Sequence, residues 1–350
     1  MGAETSVPAV GELSDDDTKV WDGHQWEPLW LLRSEIPSAT RTCFGHVVNQ
    51  RPTFMTEGLM NQSWRVESLD GTYVVRVSRS ELSREQVAYE HAALGLLRYE
   101  VPEVVPPLPG LNGETLQIIR GQVLSLFPYV NGFLGTEVAA GIRWQQAASV
   151  LARIHRAGTN LELGVADDVR SVLDQPTTWS TVRPVLQQDL PHTTEVKELF
   201  RFLDAEAAEL ECWLESLRSS GRPLSRGMVH GDFNPRNLIF DKDRLVAVID
   251  WEACHVDVLA YEAALAVQAP DPLAFWQTYL EAGGPLPAED FDLLGGFSRI
   301  RTLSELQFTT DRDGRTSPWA IDVLRDVAGD LHRLREFSNS SRDDVGGEGT

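Results

Sequence analysis

Lysine is nearly absent from this sequence. Only Lys19, Lys197 and Lys242 occur in 350 residues, so a buried cation anywhere between residues 20 and 196 must be an arginine or a histidine. Positive charge is scarce altogether: 31 lysines and arginines face 52 aspartates and glutamates, for a formal net charge of -21. Self-repulsion and repulsion from phosphate act together at that charge, which disfavours nucleic acid and anionic membrane surfaces and leaves room for a cationic small molecule. Cysteine is sparse too. Cys43, Cys212 and Cys254 are scattered and odd in number, a pattern that fits reduced thiols better than a disulfide framework. No stretch reaches the ~18 apolar residues of a membrane span. The first residues, MGAETSVPAVGELSDDDTKV, are acidic and have no apolar core of signal-peptide length. A cytoplasmic protein is the expectation.

What is present is an ordinary globular composition, 42% hydrophobic and 24% charged. A chain of this length buries roughly three quarters of its unfolded surface, enough for one large domain or two lobes sharing a cleft. Residues 53–77, TFMTEGLMNQSWRVESLDGTYVVRV, alternate polar and apolar, and Asp70-Gly71 signals a tight turn between two strands. SREQVAYEHAALGLLRYE has helical spacing, and VLSLFPYVNG reads as a strand that runs out at Pro128. Beyond it helices dominate: RWQQAASVLARIHRAG, TEVKELFRFLDAEAAELECWLESL, DPLAFWQTYLEAGG, FDLLGGFSRIRTLSELQF and SPWAIDVLRDVAGDLHRLREF. The exception is a short hairpin around DKDR, residues 241–244. The expected organisation is an N-terminal extension over 1–45 with a disordered start, a β-rich lobe over 46–128, a helical lobe over 129–338 and a disordered tail over 339–350.

Two constellations carry chemistry. On the helix after residue 83, Glu90 stands three residues after Val87 and four before Leu94, on the apolar face. An ionised carboxylate there needs a cation. Arg76, between Val75 and Val77 on the preceding strand, is favoured over Arg79 in the loop SRS, the alternative being a solvated Glu90 at the rim of the face. The second constellation lies in MVHGDFNPRNLIFDKDRLVAVIDWE, residues 228–252, where His230-x-Asp232-x4-Asn237 precedes a hairpin that ends in Asp250. A loop carboxylate, an asparagine five residues on and a second carboxylate after a hairpin is the arrangement that phosphoryl transfer requires. The first carboxylate meets the attacking hydroxyl, while the asparagine oxygen and the second carboxylate suit Mg²⁺, which prefers hard oxygen ligands.

VHGDFNPRNLIFD and VIDWE together resemble the aminoglycoside phosphotransferase and choline kinase family, relatives of the protein kinases. The likeness extends through EGLMNQSWRV, YVVRV, YEHAALGLL, LFPYVNG and VLARIH, over residues of about 50 to 265. It implies an α+β, bilobal, protein-kinase-like fold with a small β-rich nucleotide-binding N-lobe and a larger, mainly helical C-lobe that carries the catalytic loop and acceptor site. It implies Asp232 as catalytic base or substrate-orienting carboxylate, and Asn237 and Asp250 as magnesium ligands. Arg76 takes the place of the strand lysine that contacts the α and β phosphates, paired to Glu90, and its planar fork differs from a lysine's point charge. The loop Glu57 to Ser63 is expected over the phosphates, offering Gly58, Asn61 and Ser63. Phe127, Tyr129 and Val130 belong to the hinge expected to read adenine or guanine, with Leu59, Val74 and Ile249 as apolar walls. ATP or GTP is the implied co-substrate with Mg²⁺, and the partner is a small hydroxylated acceptor: an aminoglycoside or other antibiotic, an amino alcohol, a homoserine-like metabolite or a sugar.

After Asp250 no Ala-Pro-Glu follows, and DWEACHVDVLAYEAAL is read as returning to helix almost at once, which favours a small acceptor over a polypeptide. The same resemblance implies that Asp257 and Glu262 hold the catalytic loop, and His230 is expected as a structural hydrogen-bonding histidine. Trp251 and Glu252 are candidates to line the acceptor site, with the core as the alternative for Trp251, and Arg299 and Arg301 are expected on a solvated helix face in preference to facing the cleft. Two other readings compete. His230, Asp232, His255 and Asp257 have the chemistry of a dinuclear metal hydrolase, and the same fold also serves as a non-catalytic nucleotide-binding regulatory module. Walker A, Gly-x-Ser-x-Gly and His-Glu-x-x-His sequences are missing.

Overall fold

The structure, a computed structural model, describes residues 11–21, 26–55, 61–79, 82–159, 161, 163, 171–310 and 314–345, with the side chains of 336–345 left out. It divides into two compact units. The first takes Met1–Leu134, Glu162–Asp167 and Leu238–Glu252, and the second takes Gly135–Leu161, Asp168–Asn237 and Ala253–Thr350.

The first unit is built on a five-stranded antiparallel sheet ordered Thr53–Met55, Gln62–Ser68, Gly71–Val77, Gln122–Pro128 and Leu116–Ile119. Period-two alternation sends Trp64, Val66, Val75, Val77, Leu124 and Leu126 into one core. The helix Ile36–Phe44, which the sequence reading leaves without an element, packs Ile36, Ala39 and Phe44 on that core. It is nine residues long with two threonines, too short for a local helical signal, and tertiary burial stabilises it. The hairpin turn falls on Leu69 and Asp70, one residue earlier than expected, since Ser68 pairs Gly71. Gly71 serves space rather than the turn: a Cβ there would lie 3.1 Å from the Tyr73 hydroxyl. A capping box between Ser83 and Gln86 starts the helix Arg84–Leu97. A second small sheet joins Phe133–Leu134, Leu238–Asp241 and Arg244–Val248, with Lys242 turning at a φ of 54°.

The second unit is mainly helical, with Ala140–Gly158, Thr178–Asp189, Thr194–Ser219, Pro272–Glu281, Leu294–Ser304 and Ala320–Val345 as its longer helices. Three expectations are corrected here. The segment after Asp250 does not pass straight into helix: His255–Val258 first forms a strand against Arg226–Val229, a pairing across tertiary distance that local periodicity cannot show. Residues 339–345, read as disordered tail, continue the last helix, because extension of a formed helix costs far less than nucleation. Arg299 is not on a solvated face. It is 8% exposed and pairs with Glu206, itself fully buried, which also takes Arg335. Among the described residues no helix is long and apolar enough to cross a membrane.

Candidate active site

In the second unit the loop His230–Asn237 is held by its backbone. Gly231 adopts a φ of 84°, and a Cβ there would meet the Ala253 carbonyl at 2.3 Å, so only glycine fits. Glu262 clamps the loop by accepting from His230 N–H (2.9 Å) and Gly231 N–H (2.8 Å). Behind it His155 reaches Glu262 at 3.2 Å through Nε2 and the Tyr279 hydroxyl at 2.8 Å through Nδ1. Burial opposes charge on Glu262, yet the bond to His155, with His155 and His230 beside it and the His230 amide donating to it, outweighs burial and lowers the carboxyl to about 2. The clamp is therefore a permanent anion. Asp257 does the same for its surroundings, accepting from Val172 N–H (2.8 Å) and Ser171 Oγ.

The loop presents Asp232, which is exposed, with its carboxylate set between two amides. Asn234 Nδ2 donates to Oδ1 at 2.8 Å, and Asn237 Nδ2 donates to Oδ2 at 2.9 Å and to the Asp232 carbonyl at 2.8 Å. Asn234, one of the polar residues that interrupt this apolar stretch, has no role assigned to it by the sequence pattern; its signal is the short turn in which it accepts from Arg236 N–H at 2.9 Å. Since Asn237 spends its NH2 on Asp232, its carbonyl oxygen is the group it can offer a cation, which fits the oxygen preference of magnesium. His230 is structural: its Nδ1 accepts from Asp232 N–H at 3.2 Å, and its ring is fully buried.

In the first unit Arg76 and Glu90 form a two-pronged pair, Nη1 to Oε1 at 2.8 Å and Nη2 to Oε2 at 2.6 Å. Glu90 is thus buried rather than solvated at a rim. Burial works against the Arg76 charge, but Glu90, then Asp250 and Glu252, raise its pKa above the ordinary arginine value. The guanidinium lies 4.9 Å from the Phe127 ring centroid. Ser63 is directly opposite Arg76 in the register on one side and Ser125 on the other. Tyr129 donates its N–H to Thr72 O at 3.0 Å and carries Arg65 over its ring at 4.7 Å, while Val130 is half-buried beyond the strand end. Gly58 and Leu59 lie outside the described residues.

His91, unnoticed in the sequence, supports this group from behind. Its Nδ1 meets Thr115 Oγ1 at 2.8 Å, its Nε2 meets Ser125 Oγ at 3.1 Å, and its ring stands edge-on to Phe127. Burial, and to a smaller extent Arg76, lower its pKa from 6.5 to about 4, although Glu90 pulls the other way. The unfolded chain therefore takes up a proton on His91 at a higher pH than the folded one does. Its contribution is fully present above pH 6.5 and is lost as pH falls towards 4. The loss is about 3 kcal/mol at most. Denaturant midpoints measured across that window should fall steeply for the native chain and less for His91→Gln; equal slopes would remove His91 as the cause.

Asp250 lies two residues beyond the strand Arg244–Val248, in the left-handed region at a φ of 63°, which few residues other than glycine adopt, and is exposed. Trp251 is core, with its Nε1 donating to Val248 O at 2.9 Å. Glu252 turns to Asn61, whose Nδ2 donates to it at 2.6 Å, and to Arg79 at 3.6 Å. Among the described residues no group of three or more histidine, cysteine, aspartate or glutamate side chains is placed to hold a metal ion; His255 meets the Ala253 carbonyl through Nδ1 and Asp257 through Nε2 at 3.3 Å, and Asp257 also accepts from Ser171 Oγ. The dinuclear reading loses its support.

The family model of the phosphotransferase enzyme family matches residues 53–296. This chain belongs to that family. The phosphotransferase is 25% identical over 261 residues to a homoserine kinase of Paramagnetospirillum magneticum, covering 71% of this chain and 72% of that one. Among solved structures it resembles spectinomycin phosphotransferase APH(9)-Ia in complex with ADP and spectinomycin, with a TM-score of 0.67 at 14% identity over 88% of this chain and 99% of that one. It also resembles a microcompartment-associated aminopropanol kinase, with a TM-score of 0.63 at 19% identity over 87% and 98% of the two chains. The fold of the phosphotransferase is accordingly protein-kinase-like, a β-rich first unit followed by a mainly helical second.

Proposed function

We propose that this phosphotransferase is a small-molecule kinase that moves the γ-phosphoryl group of ATP to a hydroxyl of an acceptor carrying an amine. The observation that supports it most is the Asp232 carboxylate, exposed and aligned by Asn234 and Asn237 on a loop clamped by Glu262. Held in that way, Asp232 accepts a hydrogen bond from the acceptor hydroxyl and turns its lone pair towards the γ phosphorus. The new O–P bond forms as the bond to ADP breaks, and the hydroxyl proton leaves by way of the carboxylate. Arg76, fixed by Glu90, offsets phosphate charge, and Ser63 and the hinge residues Phe127, Tyr129 and Val130 bind the nucleotide. Asn237 and Asp250 are the residues to hold Mg²⁺, which supplies charge neutralisation to the phosphates when bound. Catalysis is then chiefly positioning and electrostatics.

For the acceptor, homoserine, spectinomycin and aminopropanol, named in the relatives, are hydroxyl compounds that also carry an amine. A net charge of -21 suits a cationic acceptor.

The test is incubation with Mg·ATP and pooled amino alcohols, hydroxy amino acids, aminoglycosides and sugars, read by mass spectrometry. An amine-bearing acceptor should gain one phosphoryl group, and chelation of Mg²⁺ should abolish the gain. Nucleotide consumption that no acceptor raises above background would instead indicate the regulatory module.

A further inference from the structure

The Arg76 that the kinase reading assigns to the phosphates is already heavily committed. Both its Nη groups donate to Glu90, its guanidinium lies against Phe127, and its side chain is 9% exposed. Paired in this way, its charge is largely cancelled. Yet the same neighbourhood holds two more acids, Asp250 and Glu252, whose fields Arg76 feels. A triphosphate brought there adds negative charge to a group already in acid excess, and Mg²⁺ offsets only part of it. A second cation is needed. No lysine exists between residues 20 and 196 to supply it.

Arg79 has the properties of that cation. It leaves the sheet three residues after Arg76 and is 26% exposed. Its Nη2 lies 3.6 Å from Glu252 Oε1, near enough for attraction and too far for a hydrogen bond. Its Nε is buried with no hydrogen-bond partner among the described residues. Its backbone, in contrast, is fixed, since Arg79 N–H donates to Asn61 Oδ1 at 3.0 Å and Asn61 Nδ2 donates to Glu252 at 2.6 Å. If the guanidinium leaves Glu252, that carboxylate keeps Asn61, so the exchange orphans no buried charge.

We propose that Arg79 is a second phosphate-binding arginine of the nucleotide site, with Glu252 and Asn61 as the residues that position it. The guanidinium exchanges its loose contact with Glu252 for hydrogen bonds to the β and γ phosphates. No covalent step is involved. Glu252, a candidate from the sequence to line the acceptor site, is on this account part of the nucleotide site.

The inference rests on the kinase reading, and its test separates the two. Mg·ATP and AMP affinities are measured by calorimetry without acceptor for the native chain, Arg79→Ala, Arg79→Gln and Arg79→Lys. Loss of one charge-assisted contact should weaken Mg·ATP about tenfold in the alanine and glutamine variants. AMP, which lacks the β and γ phosphates, should bind as before, and lysine should restore most of the ATP affinity. Unchanged ATP affinity, or equal losses for ATP and AMP, would overturn the assignment of Arg79 while leaving the kinase reading standing. A native chain that binds neither nucleotide would overturn both.

Discussion

Asp232→Asn should lower kcat by about 10²–10⁴, the range that a positioned proton acceptor contributes, and should leave Mg·ATP affinity largely intact. The carboxylate has two acceptor oxygens, each already meeting an amide from Asn234 or Asn237. An asparagine at 232 offers one oxygen and one NH2, so one of those amides faces a donor and the side chain loses both charge and alignment. Asp232 is exposed, so the cost to folding is small, and the thermal midpoint serves as the control. Steady-state kinetics with a productive acceptor decides the matter. A variant with native kcat would take Asp232 out of the chemistry, whereas losses confined to the KM for ATP would move it to nucleotide binding.

The second large effect is on stability. Glu90→Ala leaves the Arg76 guanidinium buried beside an apolar ring, the pair being 9% and 3% exposed. Removing one partner of a buried pair costs about 3–5 kcal/mol, because the remaining charge keeps its desolvation penalty without compensation. Here Asp250 and Glu252 soften the loss, which places the expectation towards the lower end. Denaturant unfolding measures it, and an unchanged midpoint would show that Arg76 escapes to solvent. The double variant Arg76→Met/Glu90→Leu separates stability from function. Well-packed apolar replacements of a buried pair are often neutral, so the double variant should regain most of the stability while binding ATP more weakly than the native chain. If it binds ATP normally, the pair is a structural staple and not part of the nucleotide site.

Some of this was legible from residue order. Val87, Glu90, Leu94 and Leu97 fall on one helical face by spacing alone, and the scarcity of lysine left arginine as the partner, so the Arg76–Glu90 pair could be named before any coordinates. Asp232 and Asn237 lie five residues apart on one loop, within reach of each other in most turns, and they do bond. Other contacts left no local trace. Asn61 and Glu252 are 191 positions apart, and neither residue sits in a pattern that points to the other. Arg299 looked like a solvated helix cation because its partner Glu206 belongs to a helix some ninety positions earlier, |i−j| being 93. The strands Arg226–Val229 and His255–Val258 are four residues each, shorter than a period-two signal needs, and exist because they pair with each other.

The sequence by itself determined the chemistry available: which side chains carry carboxylates, amides and guanidinia, and at which spacings, including the lack of lysine between residues 20 and 196 that leaves arginine as the partner of Glu90. It also determined most of the longer helices and the main hairpins, since amphipathic period and turn residues act over a few positions, but not the helix Thr178–Asp189, which carries Pro184 in its interior. Tertiary structure alone decided the partners. His91 as support behind Phe127, Glu252 turned towards Asn61 and Arg79, and Arg299 drawn into the core all follow from burial. A charge removed from water must find a counter-charge or donor wherever packing brings one, and packing brings together residues that the chain order keeps apart.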